Sequence, residues 1–363
     1  MDLEKKDNTQ NQEIKGLSRR DFLKGAVLGA AGLAFGITPG IGQKNLLPTA
    51  SAASKPVELV FHEVDNHNVM ISDFWIKEVE RRCQGQVHFT KYVGKELPKG
   101  QEPDAFRISS AAGGKFFLMD LIQMPFLTRN SADGTRILSQ LYEEFEEFRQ
   151  EFSEFKICGL GTGSTMGLFT SKRVGPIKNP MDLKGMRVRS VLPFDACLAA
   201  IGAEPIHVNY SELKQDMING KMDAAVVGML PAQVFNLCEE VAPYCMLDAE
   251  RNISTHGMRL AMKWESWHKL PAAAQKAIDE LGPVGGNCWV ATHWGTEYDR
   301  SLAEGALKYV QEVGHVSMWD PADVKKCICQ MQPGIDLRIQ IAENRGLPGR
   351  QVYNRMLELA KIY

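Results

Sequence analysis

Few residue groups in this chain combine the right types with the right spacing for chemistry. His62-Glu63-x-x-x-His67 carries the residue types of a zinc protease. That chemistry sets its two histidines four apart on one helix face, whereas these are five apart in a strand and the loop after it. Cys327-Ile328-Cys329 lacks the second Cys/His pair that would complete a tetrahedral metal site. Gly161-Thr162-Gly163-Ser164-Thr165 is a small-residue loop without the lysine and Ser/Thr of a phosphate cradle, so it reads as a place where backbone approaches a ligand. Neither a G-x-S-x-G elbow nor a paired Cys/His cluster is present, and no cofactor motif is found. Arg187 and Arg189 remain, two apart on a strand and so on one face. A guanidinium offers a planar fork of donors matched to a carboxylate, and burial in a closed cleft strengthens that match. An arginine ending a strand serves as often in a structural charge pair, so the residues by themselves leave both roles open.

Strand and helix signals alternate around these residues. Val57 to Phe61 reads as a strand, Asp65-Asn66-His67-Asn68 as a polar break, and Phe74, Ile76, Val79 and Cys83 as one helix stripe. Val87 to Val93 is a second strand, which makes a βαβ opening of the kind that builds a mostly parallel sheet. The acidic stretch 137–155 repeats Phe145, Phe148, Phe152 and Phe155 at spacings of three and four, so it is a helix with a buried stripe and a wet glutamate face. Strands follow at Lys156 to Leu160, Gly167 to Ser171, Met186 to Arg189, Pro205 to Val208 and Ala224 to Gly228. Helices are expected at Phe194 to Ile201, at Ser211 to Asn219 with Gly220 as its C′ stop, at Pro271 to Leu281, at Cys288 to Val313, and at Arg350 to Ile362.

The first 52 residues read as a leader. Ser18-Arg19-Arg20-Asp21-Phe22-Leu23-Lys24 fits the twin-arginine (Tat) export pattern, and the apolar run from Gly25 to Ile37 is too short to span a bilayer. Ala50-Ser51-Ala52 supplies a small-residue cleavage site. These features predict a Tat signal peptide over 1–52 and a periplasmic product that is not embedded in the membrane. The roughly 310 residues that remain suffice for two lobes with separate cores. Net charge is −2 overall and near −4 without the leader, which argues against nucleic acid as a partner. Eight cysteines in an exported chain raise the question of disulfides. Their spacing gives no tight framework; Cys158 and Cys197 sit in apolar contexts, and Cys238 with Cys245 is the pair to test for a bridge.

One family accounts for the later motifs together. Asp182-Leu183-Lys184-Gly185-Met186-Arg187-Val188-Arg189, then Gly202-Ala203-Glu204-Pro205, Ser211-Glu212-Leu213 and Gly220-Lys221-Met222-Asp223, resemble the DctP-type solute-binding proteins of tripartite ATP-independent periplasmic (TRAP) transporters. Phe74 to Val87, Gln123-Met124-Pro125-Phe126-Leu127, Thr170-Ser171-Lys172-Arg173 and Met262-Lys263-Trp264 with Leu270-Pro271 extend the match over most of the chain after the leader. The resemblance implies an α/β, two-lobed periplasmic-binding-protein-like fold with the ligand cleft between lobes and a long inter-lobe helix. It implies lobe I over 53–160 plus roughly 255–287, and lobe II over 161–254 plus roughly 288–363. It implies a small organic acid as ligand, TRAP membrane subunits as partners, and no catalysis.

The resemblance also points to Arg189 as the residue that holds the ligand carboxylate, with Arg187 at an exposed basic position. Glu63 and His67 fall on the loop leaving the first strand at the cleft; Thr165, Phe194 and Val227 complete the expected ligand contacts. Where the family often has an asparagine, Ala225-Val226-Val227-Gly228 offers no side-chain hydrogen bond. Where sialic acid binders carry a second arginine, Met166-Gly167-Leu168 stands instead. The expected ligand is therefore a monocarboxylate with an apolar or 2-oxo body. Between Glu102 and Lys115 the family's short central strand is expected to be missing, with the loss near 108–112. That leaves a degenerate or sensory binding protein as one alternative, and a Tat-exported enzyme as the other.

Overall fold

The computed structural model describes residues 55–63, 69–94, 96–109, 115–283, 289–296, 299–300 and 304–362. The leader, Tat motif included, lies outside the described residues, as does His67. Two sheets organise the rest. The first contains β1 (Val57–Glu63), β2 (Val87–Val93), β3 (Ala105–Ser109), β4 (Phe155–Thr162) and β10 (Gly257–Lys263), in the order β2-β1-β3-β10-β4. The second contains β5 (Met166–Thr170), β6 (Arg187–Arg189), β7 (Glu204–Ile206), β8 (Ala224–Gly228), β9 (Tyr244–Leu247) and β11 (His315–Met318), in the order β11-β9-β5-β8-β6-β7.

The strand expected to be missing is present. β3 lies at the centre of the first sheet, parallel to β1 on one side and antiparallel to β10 on the other. What is short is the connection before it: residues 94 and 96–104 contain no helix. Arg107 in the middle of Ala-Phe-Arg-Ile-Ser hides the strand from a hydrophobicity reading. In the fold its cation is wholly buried against Glu63, its register neighbour on β1, at 2.5 Å. Asp104 fastens the entry to β3 by accepting from Val60 N at 2.7 Å and from the Ser266 hydroxyl at 2.5 Å.

Strand alternation gives each sheet two apolar faces, and the core follows them. One cluster takes Ile157, Leu160 and Ala261 from the first sheet and Leu168, Val188 and Val226 from the second. The other takes Phe61, Ala105 and Leu260 from the first and Phe169, Ala225 and Val227 from the second. The helix Val69–Arg82 packs Ile71, Trp75, Ile76 and Val79 inward, whereas Phe74 is 44% exposed; Trp75 takes the place expected for Phe74. The expected helix over 137–155 is two helices, Ser131–Glu144 and Glu146–Gln150, parted at Phe145, and Phe155 already belongs to β4. Phe148 and Phe152 are buried as expected.

The chain passes from the first sheet to the second through 163–165 and returns through 248–256. These crossings lie side by side: Gly163 N donates to His256 O at 2.9 Å. Within the expected long helix 288–313, residues Val290–Gly295 form the wide turns of a π-helix and Glu304–Val313 an α-helix. The longest helix among the described residues is instead Pro321–Glu343, 23 residues with Pro333 inside it. Gly220 ends the helix Tyr210–Ile218 at φ +67°, the left-handed turn expected of a C′ glycine. No helix among the described residues is long and apolar enough to cross a membrane.

Candidate ligand-binding site

β6 is three residues long and runs parallel to β7 and β8. Val188 points into the first apolar cluster, so Arg189 points to the opposite face. Its register partner there is Ala225, and Val227 follows on the same side. Arg189 is only 5% exposed. Its Nη1 donates to Val226 O at 2.9 Å and its Nε to Val208 O at 3.3 Å, while Cζ lies 4.3 Å from the centre of the Tyr210 ring. Tyr210 is itself stacked on Phe235, with centroids 5.8 Å apart.

Among the described residues no carboxylate reaches Arg189. The two carbonyls take Nε and Nη1, the ring covers one face of the plane, and Nη2 makes no hydrogen bond among the described residues. A guanidinium with a nitrogen so left over can donate to a carboxylate. The neighbouring charged motif residues pair with one another instead. Arg187 binds Asp223 through Nε and Nη2, both at 3.0 Å, and Arg173 binds the same carboxylate at 2.6 Å. Burial alone would raise the Asp223 pKa, but the hydrogen bonds from Arg187 and Arg173 outweigh it and hold the carboxyl well below its usual range.

Thr165 and Val227 fall on the Arg189 face. Gly167 pairs with Val227 across β5 and β8, and Thr165 shares the parity of Gly167 while its carbonyl accepts from Met229 N at 2.9 Å. Val227 is fully buried within the second apolar cluster, as Phe194 is within the first, so the Arg189 side of β8 presents only apolar packing there. Phe194 is placed otherwise than expected. It is fully buried in the first cluster, on the side opposite Arg189, and lines a small apolar cavity with Phe126, Leu168, Val226, Trp319 and Cys327. A phenylalanine beginning the helix Asp195–Ala200 serves the core there. Glu63 also departs from expectation as an open cleft residue. It is fully buried at the end of β1, paired with Arg107 and accepting from the Ser72 hydroxyl. Burial pushes its pKa up, with Arg107 and Ser72 pulling it back in part.

Sequence reasoning did not commit to Tyr210, although it opens the helix that follows β7. The signal was position: ligand sites of open α/β sheets gather beyond the carboxyl ends of the strands, where Arg189 and Tyr210 both lie. His62 is taken up by the Gly94 carbonyl at 2.7 Å. Among the described residues no cluster of three or more His, Cys, Asp or Glu side chains could hold a metal ion. Cys327 is buried and Cys329 exposed on one helix, so the two thiols face apart. Cys238 and Cys245 are free, buried thiols without the bridge that was to be tested. Burial pushes Cys158, Cys197, Cys238 and Cys327 up to about 12.

Two α/β lobes joined by adjacent crossings, with a buried guanidinium free of any acid partner among the described residues, define a small-molecule binding protein. A family model, DctP, described as bacterial extracellular solute-binding protein family 7, matches residues 96–339. The chain belongs to that family, whose members bind solutes for transport and are not enzymes. Solved structures agree in fold. A TRAP periplasmic solute-binding protein from Desulfovibrio salexigens is 22% identical at TM-score 0.72, the match covering 85% of this chain and 96% of that one. A marine metagenome TRAP solute-binding protein specific for aromatic acids, in complex with 3-hydroxybenzoate, is 18% identical at TM-score 0.75 over 85% of this chain and 99% of that one. A TRAP solute-binding protein from Rhodoferax ferrireducens, in complex with copurified benzoate, is 18% identical at TM-score 0.72 over 84% of this chain and 98% of that one.

Proposed function

We propose that this protein captures a small organic monocarboxylate outside the cytoplasm and presents it to the membrane subunits of a TRAP transporter. Arg189 receives the carboxylate, and Thr165 and Val227 flank the ligand body. The observation that carries the reading is the buried Arg189 guanidinium. It is fixed by two carbonyls and an aromatic ring, and among the described residues no acid answers it. The apolar packing at Val227 favours a ligand whose body carries few polar groups. Structural relatives bound to 3-hydroxybenzoate, benzoate and mandelate, and others bound to glucuronate and orotic acid, support an organic acid as ligand. The Tat pattern at Ser18–Lys24 assigns export to the twin-arginine route, with the leader removed after residue 52.

The test is to purify the folded protein, release any copurified small molecule for mass spectrometry, and screen organic acids by thermal shift. Benzoate, mandelate and 2-oxo acids should raise the melting temperature, and Arg189→Met should abolish the rise. Protection by succinate or malate alone, or by no acid at all, overturns the monocarboxylate assignment.

A further inference from the structure

A second buried arginine is left without an acceptor. Arg259, the third residue of β10, is 8% exposed, and its Nε and Nη1 are sealed from solvent with no hydrogen-bond partner. No ion pair to it forms among the described residues. Its Cζ lies 4.0 Å over the Phe116 ring, which in turn stacks on Phe152 at 5.1 Å. The other buried arginines among the described residues differ: Arg107 has Glu63, and Arg189 has two carbonyls. Asp120 acts on Arg259 electrostatically, but its carboxylate accepts from the Gln123 amide at 3.0 Å. Glu151, facing the same loop, accepts from the backbone N–H groups of Leu118 and Met119 at 2.7 and 3.1 Å. Burial lowers the Arg259 pKa to about 10, so the group stays charged at neutral pH. A desolvated cation with idle donors is costly, and the cost falls when an acceptor enters.

Arg259 stands in register with Ile108, the next-to-last residue of β3, and with Leu160 of β4, at the sheet end where the crossings begin. Nε and Nη1 both lack an acceptor, so the site suits one compact anion that takes two donors rather than a bulky polyanion. We propose that Arg259 is a second anion site, on the first sheet and separate from Arg189, which takes a small free anion of halide size.

Sodium bromide is the probe for the free ion. Wild type and Arg189→Met should show a saturable rise in melting temperature of several degrees with bromide, and Arg259→Met and Arg259→Gln should show none. In anion-depleted buffer Arg259→Met should be at least as stable as wild type, because an unpaired buried charge is gone. A bromide-soaked crystal should place an anomalous peak beside the guanidinium. The proposal falls if bromide does not distinguish wild type from the Arg259 variants, if only water occupies the site in the soaked crystal, or if both Arg259 variants are strongly destabilised without any anion. Since Arg189→Met is a control for bromide, this failure is separable from failure of the carboxylate site.

Discussion

Replacing Arg189 by methionine separates a ligand receptor from a structural arginine. The guanidinium makes two hydrogen bonds to backbone carbonyls, at 2.9 and 3.3 Å, and one stacking contact at 4.3 Å. Removing it forfeits about 1 kcal/mol for each hydrogen bond and a similar amount for the stack. It also removes a desolvated cation, so the ligand-free protein should change in stability by no more than about 1–2 kcal/mol in either direction. In the complex the loss is larger, because a buried ligand carboxylate would be left unpaired at a cost of about 3–5 kcal/mol. At 1.4 kcal/mol per tenfold, affinity should fall on the order of 10²–10⁴-fold. Arg189→Lys keeps the charge but not the fork and should fall between the two. Titration calorimetry with the ligand identified from the copurified pool gives the affinities, and urea unfolding of the ligand-free protein gives the stabilities. Affinity within threefold of wild type, together with a large loss of stability, would refute the assignment and make Arg189 a core fastening.

Tyr210→Ala should weaken the same ligand about two- to thirtyfold, and Tyr210→Phe much less, since the stack on Arg189 is worth about 0.5–2 kcal/mol and needs only the ring; calorimetry on both variants checks it. Iodoacetamide mapped by mass spectrometry should label Cys329 in the native protein ahead of Cys83, Cys158, Cys197, Cys238, Cys245 and Cys327, all buried, and all should react once urea is added. Burial, against the hydrogen bonds from Leu118 and Met119, lifts Glu151 from 4.5 to about 8. The native state then holds a proton that the unfolded chain releases, so this group's contribution to stability is full below about pH 4.5 and is lost as pH rises through 8. Urea midpoints at pH 5 and pH 8 should differ less in Glu151→Gln than in wild type. Gly334→Ala should cost about 1–3 kcal/mol in urea unfolding, because a Cβ there would meet Ala196 O at 2.4 Å on the facing helix.

Period-two and period-3.6 patterns made most of the fold legible. β2 and β8 fall where the sequence put them, and the neighbouring elements shift by a few residues. The misses share a cause: each element depends on a partner distant in sequence. β3 looks too polar for a central strand until Glu63 arrives beside Arg107. Pro321–Glu343 looks broken at Pro333-Gly334 until the helix Asp195–Ala200 packs against that glycine without a side chain between them. Phe194 looks like a ligand contact because it is near Arg189 in sequence, yet the sheet separates them. Only alternation from Val188 to Arg189 decides the side, and the loop from 190 onward carries no such rule.

The choice between Arg187 and Arg189 shows how the site becomes specific. On the strand they are equivalent by type and parity, and the sequence alone could not part them by charge. The fold parts them by supplying one acid for two other cations. Asp223 follows the Gly220 turn, sits beside Arg187 across β6 and β8, and is also reached by Arg173 from the turn after β5. Its carboxylate is thereby used up, and Arg189, two residues further along the strand, meets carbonyls instead of an acid. A carbonyl orients a guanidinium without neutralising it. The motif residues around Arg189 therefore satisfy one another, leaving at the end of the sheet an oriented cation with no acid partner among the described residues, which the proposed ligand carboxylate would answer.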